Sequence, residues 1–170
     1  MQQNIVIRPA TMADLESFTD AVNSVYREKW YLATLDGYSL EQSRVFLQRF
    51  VDNSWPRVVA VSNGQVVGWC DITPDIKVGY THIGRLGMGV RHSHRYRGIG
   101  QRLLETCVLL TRNLGLEKVE LDAFADNTAA IRLYERHGFI LEGIKTQTRK
   151  LEGKYQDIQL MARFLSGRKT

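Results

Sequence analysis

Only two cysteines occur in the 170 residues, Cys70 and Cys107, with neither a CxxC spacing nor the paired pattern of a disulfide framework. A disulfide-stapled scaffold is excluded, and both thiols are expected to be reduced. No apolar run approaches the roughly 20 residues a membrane-spanning helix needs, and the opening MQQNIVIRPATMADLESF lacks the charged-then-apolar order of a secretory leader. The reading is a cytoplasmic protein without a membrane partner. Prolines number only 3 and no low-complexity tract interrupts the chain, which argues against a disordered or fibrous protein. Basic residues nowhere form the long run of a nucleic-acid-binding tail, so no nucleic acid is expected as partner.

What is present fits one folded domain over residues 1–170, with 166–170 as a frayed polar tail: 44% of residues are hydrophobic and 24% charged. A chain of this length buries roughly two-thirds of its unfolded surface. Lys and Arg number 23 against 18 Asp and Glu, a net charge of +5. That excess favours an acidic partner such as a phosphorylated small molecule, without naming one.

Along the chain, IVIRPA alternates, and Ile5 to Arg8 reads as a short strand. Thr11 to Asp14 and Ser39 to Gln42 have the form of capping boxes that open two helices, the second with Leu40, Leu47, Phe50 and Val51 on its apolar side. Between them, KWYLATLDGY (29–38) is rich in aromatic side chains. RVVAVSNGQVVGWCDIT reads as a hairpin turning at Asn63-Gly64, and an extended run from about Thr81 to Val90 follows. A helix over about 98–113 turns Leu103, Leu104, Cys107, Leu110 and Leu114 inward and stops at Gly115. Val119 to Phe124 is then a buried strand, parallel to Thr81–Val90 because a helical crossover joins them. Asp126 or Asn127 caps a last short helix ending at Gly138, and two strands, one starting at Phe139–Leu141 and one over 154–165, complete the order. The fold class is α/β: a mixed, mainly antiparallel sheet with one parallel pair and about four helices.

HRYRGIGQRLLE, residues 94–105, crowds cationic side chains against two glycines at a helix start. Helix N-termini carry unpaired N–H groups and partial positive charge, so anions are stabilised there. Gly98 and Gly100 let a phosphate approach the backbone, and Arg95 and Arg97 add mobile charge. The stretch is built like a diphosphate cradle. It is not a nucleotide-triphosphate loop, since Gly100 is followed by Gln101-Arg102 where Lys-Ser/Thr is required. Nor is it a dinucleotide fingerprint, because His92 stands where Gly87-Met-Gly89 needs its third glycine.

Arg95-x-x-Gly98-x-Gly100 resembles the acetyl-CoA motif of the GNAT N-acetyltransferase family. Asn127-x-x-Ala130-x-x-x-Tyr134-x-x-x-Gly138-Phe139 is similar to a second segment of that family, and the element order follows its layout from Ile5 to about Leu165. The resemblance implies an acetyl-CoA-dependent enzyme acetylating a primary amine of a small molecule, amino acid or peptide N-terminus; a homodimer stays open. It assigns the pantetheine arm and thioester carbonyl to backbone groups of Met88, Gly89 and Val90, and the pyrophosphate to the loop Arg95, Arg97, Gly98, Ile99 and Gly100. Asn127 would reach the pantetheine or substrate, Ala130 would leave room for the cofactor, and Tyr134 would lie near the sulfur.

Amide formation needs a neutral amine, yet at pH 7 an alkyl amine of pKa near 10.4 is neutral in only on the order of one molecule in a thousand. A base therefore helps, and the departing thiolate needs an acid. Tyr134 is the expected acid. For the base, His82 leads, because alternation places it on one face with Gly84, Leu86 and Met88; Asp71 is second, and attack through water is third. The central-strand glutamate of many family members is absent. No metal is expected from His82, His92 and His94, which lack a defined ligand set. The alternative function is a catalytically silent acyl-CoA-binding module.

Overall fold

The structure is a computed structural model and describes residues 4–32 and 36–166. Residues 33–35 of the aromatic linker and 167–170 of the polar tail lie outside the described residues. Among those described, seven strands run in the hydrogen-bonded order β1-β2-β3-β4-β5-β7-β6, and four α-helices accompany them. The chain divides into two compact units, residues 1–73 with 87–113, and 74–86 with 114–170.

In the first unit β1 (Ile5–Pro9) lies antiparallel to β2 (Arg57–Ser62), and β2 to β3 (Gln65–Pro74). Asn63 and Gly64 turn the hairpin at φ 49° and 74°, the positive torsions that a tight primed turn demands. Helix α1 (Leu15–Tyr26) begins where Asp14 accepts from the Thr11 amide (2.8 Å) and from two Arg8 nitrogens (2.7 Å each). Its spacing aligns Phe18, Ala21, Val22 and Val25 against Val59, Val66 and Trp69. Burial of that stripe holds the helix to the sheet.

Helix α2 (Leu40–Asp52) opens on the Ser39–Gln42 capping box and buries Ser43, Leu47 and Phe50. Leu40 and Val51 are exposed, contrary to the apolar face expected for them. At about 100° per residue the buried arc runs from Ser43 through Leu47 to Phe50; Val51 falls past its edge, and Leu40 overhangs the first turn. Helix α3 (Ile99–Leu110) buries Ile99, Leu103, Leu104, Cys107 and Val108, whereas Leu110 is exposed where the chain tightens into a 3-10 turn at Thr111–Leu114. Cys70 and Cys107 are both free and buried, the Cys107 thiol donating to the Cys70 carbonyl at 3.5 Å.

Strand β4 (Ile83–Val90) begins two residues later than expected, and it gives its last four residues to the first unit. In the second unit its start pairs in parallel with β5 (Lys118–Phe124), with Ile83 opposite Lys118. Strand β7 (Lys154–Phe164) is antiparallel to both β5 and β6 (Ile140–Leu151). β6 runs on well past the start at Phe139–Leu141 that the sequence marks. It is an edge strand, mostly exposed, so its residues IKTQTRKL carry no burial alternation for a sequence to display.

Candidate active site

In the first unit the chain leaves β4 at Arg91, which is anchored three ways. Its amide donates to the Val67 carbonyl (2.8 Å), its Nε to the Val66 carbonyl (3.0 Å) and a terminal nitrogen to Asp20 (2.7 Å). Arg95 is anchored as firmly. Its Nε donates to the Val90 carbonyl (2.9 Å), both terminal nitrogens donate to Glu28 (2.7 Å each), and the guanidinium lies 4.7 Å from the Tyr31 ring centre. Expected as a mobile charge, Arg95 is a brace that fixes the loop to β4 and, through a bidentate pair, to the turn after α1. Glu28 is consumed by that brace. Arg97 is exposed. Burial first, then Arg97 and Arg91, holds the His94 imidazole below the ordinary histidine range.

Gly98 caps α3 at φ 73°, in the left-handed region that favours glycine. A Cβ there would meet nothing within 4 Å, so the space above the helix start is open. The Arg102 amide donates to the Gly98 carbonyl (3.2 Å) as the first bond of the helix. The amides of Ile99, Gly100 and Gln101 precede it and find no carbonyl within the helix. Ile99 is 2% exposed, so its side chain pins the helix start in the core.

The end of β4, Met88 to Val90, is half-buried and glycine-dependent. A Cβ on Gly89 would come within 2.3 Å of the Trp69 ring, which Phe18 packs edge-on at 6.1 Å. Gly89→Ala is expected to cost about 1–3 kcal/mol through overpacking, read as a fall in Tm of several degrees by thermal unfolding. An unchanged Tm would show that Trp69 yields freely.

In the second unit α4 (Thr128–Arg136) carries the other motif. The Asn127 side chain accepts from the Ala130 amide (3.3 Å) and so caps the helix. At the far end the Gly138 amide donates to the Glu135 carbonyl (3.0 Å) and the Phe139 amide to the Tyr134 carbonyl (3.1 Å), with Gly138 at φ 81°. That is a Schellman ending, and Phe139 completes it by packing on Tyr134 at 5.8 Å between ring centres. Asn, Gly and Phe of the motif are thus helix-end devices that hold Tyr134, buried, one turn after half-buried Ala130.

A model of the acetyltransferase (GNAT) family matches residues 19–139, well over half of the chain. The chain belongs to that family. An L-amino acid N-acetyltransferase of Escherichia coli is 28% identical over 162 residues, which cover 94% of this chain and 97% of that protein. Among solved structures, a GNAT-family acetyltransferase from Streptococcus pneumoniae superposes with a TM-score of 0.89 at 28% identity, covering 95% of this chain and 100% of its own. A GNAT phosphinothricin acetyltransferase from Sinorhizobium meliloti, solved with acetyl-CoA, has a TM-score of 0.88 at 22% identity and covers 98% of this chain and 93% of its own. These neighbours share the mixed sheet with its parallel pair.

As a GNAT acetyltransferase, the chain has two residues to account for as bases. His82 is exposed, in the turn before β4 and at the opposite end of that strand from Met88. Asp71 is buried on β3 opposite Arg57 of β2. Sequence reasoning missed Arg57 altogether, because an arginine after Pro56 gives no sign that it will be buried; only the β2–β3 register does. Among the described residues, no group of three or more His, Cys, Asp or Glu could hold a metal ion, and no helix is long and apolar enough to cross a membrane.

Proposed function

We propose that this GNAT acetyltransferase transfers acetyl from acetyl-CoA to a primary amine of a small molecule, an amino acid or a peptide N-terminus, by direct attack in a ternary complex. The observation that carries the reading is the start of α3: a left-handed Gly98 ahead of amides that have no carbonyl partner within the helix, with open space where a side chain would stand. A diphosphate fits that combination of donors and room. The relative named for L-amino acids and the neighbour solved with acetyl-CoA point the same way.

When bound, acetyl-CoA supplies an acetyl thioester. In this reading the amides of Gly98, Ile99 and Gly100 hold the pyrophosphate, with Arg97 adding charge and Arg95 keeping the loop in shape. Backbone groups of Met88, Gly89 and Val90 hold the pantetheine arm, and an N–H among them steadies the carbonyl oxygen. Ala130 keeps α4 narrow beside the arm. Asn127 acts as helix cap with its remaining capacity toward pantetheine or substrate, and Tyr134 gives a proton to sulfur.

Thermal unfolding with acetyl-CoA at about 100 times its Kd is expected to show about 2.7 kcal/mol of stabilisation, several degrees in Tm. In the same samples, thiol release across a panel of amines identifies the acceptor class. A shift with no release for any amine would favour a silent acyl-CoA-binding module. No shift at saturation would remove the cofactor reading itself.

A further inference from the structure

Resting on the acetyl-transfer reading above, we infer that Asp71 is the general base of the reaction and that Arg57 is the positioning residue that keeps its carboxylate ionised without occupying it. Arg57 and Asp71 face each other in register on β2 and β3, and their side chains are 2% and 9% exposed. Between them the closest nitrogen-to-oxygen approach is 3.7 Å, beyond hydrogen-bonding distance. None of the three guanidinium nitrogens has a hydrogen-bond partner. The cation is held instead by aromatic faces, with Phe18, Phe46 and Phe50 ring centres at 4.1, 4.4 and 4.7 Å.

Such an arrangement is unusual for a structural ion pair, which closes to a bidentate contact as Arg95 and Glu28 do. Here the charge is present while the carboxylate oxygens stay uncommitted. Gly87 keeps one side of them clear, since a Cβ at that position would stand 3.3 Å from Asp71 Oδ1. The same β4 segment continues into Met88, Gly89 and Val90, to which the proposed function gives the thioester. Asp71 thus adjoins the strand where the amine must arrive, whereas His82 lies before its far end. The residues of β4, IGRLGMGV, contain no carboxylate of their own.

Burial raises the Asp71 carboxyl from 3.8 to about 6, with Arg57 pulling the other way. A base of that strength is largely ionised above neutrality and takes a proton more readily than an exposed carboxylate. The groups around it add no second charge. Arg57 comes from β2 and glycine from β4; the phenylalanines come from α1 and α2; the adjacent Cys70 thiol, pushed up by burial, stays protonated. In the step itself the amine nitrogen bonds to the acetyl carbon and its proton passes to Asp71. The acetyl C–S bond breaks, and Tyr134 gives sulfur a proton, so the products are an amide and a free thiol; the two side chains then exchange protons with water.

The test compares wild type, Asp71→Asn, Arg57→Met and His82→Gln in thiol release from pH 5 to 9, using the best amine of the panel. Wild type is expected to lose kcat/KM below an apparent pKa of about 6. Asp71→Asn should be about 100-fold slower and lack that limb, while keeping the acetyl-CoA thermal shift. Arg57→Met should move the limb to higher pH, because the cation favouring the ionised form is gone. A readout without cofactor is the stability difference between wild type and Asp71→Asn. The raised folded pKa means that wild type gains relative stability as pH falls through about 6 toward 3.8 and loses it as pH rises. ¹³C NMR of labelled aspartate should show the same titration, absent in the variant, and identifies a variant that fails to fold, in which case Arg57→Met decides. A limb that survives in Asp71→Asn, or disappears in His82→Gln instead, overturns the inference and leaves the acetyl-transfer reading standing. Wild type with neither thermal shift nor thiol release overturns both.

Discussion

Tyr134→Phe is expected to lower turnover by about 100- to 1,000-fold while leaving the acetyl-CoA thermal shift within error. The substitution removes one oxygen and keeps the ring, so the packing on Phe139 at 5.8 Å is retained. Helix α4 is held by the Asn127 cap and the Gly138-Phe139 ending, neither of which uses the hydroxyl. Loss of kcat with an unchanged acetyl-CoA thermal shift is therefore the signature of an acid acting on the leaving sulfur, since a group that helps only in the transition state changes rate and not binding. Steady-state kinetics at saturating acetyl-CoA reads it. Unchanged turnover would make Tyr134 a packing residue and send the proton to sulfur from solvent.

Phe139→Ala is expected to cost about 3–5 kcal/mol, the range for deleting a buried aromatic side chain. Phe139 is 2% exposed and among the largest fully buried side chains. It is also the hydrophobic half of the helix ending, so the cavity opens where α4 is fastened. At about 2–4 °C per kcal/mol for a chain of this size, Tm should fall by about 10 °C. Turnover should fall too, because Tyr134 loses its neighbour; Phe139→Leu should recover most of the stability. A drop of only a degree or two would mean that the second unit closes over the gap.

The elements that were legible in the sequence are those whose signals are local. Thr11–Asp14 and Ser39–Gln42 have the form of capping boxes and are capping boxes; Asn63-Gly64 turns the hairpin; Gly98 starts α3 in the left-handed region. Leu40, Val51 and Leu110 were misplaced because helix periodicity locates a face without saying where its packing stops. Only the start of β6 was legible, because an exposed edge strand has little burial to pattern it. Of the residues that the motif implies, Arg95 pairs with Glu28, and Asn127 caps α4. Arginine and asparagine can serve a phosphate, a carboxylate or a backbone amide equally well, and which one they meet depends on the neighbour.

From its own residues, then, the chain determined the element order, the turn and cap positions and the glycine-opened helix start, since backbone torsion and i to i+4 hydrogen bonding act within a few residues. Only the tertiary structure decided that Glu28 would take Arg95, that Phe18, Phe46 and Phe50 would enclose Arg57, and that Asp71 would face Gly87. Those partners come from separate helices and strands, and it is strand register and helix packing, set by the burial of the whole core, that bring them within reach of one another.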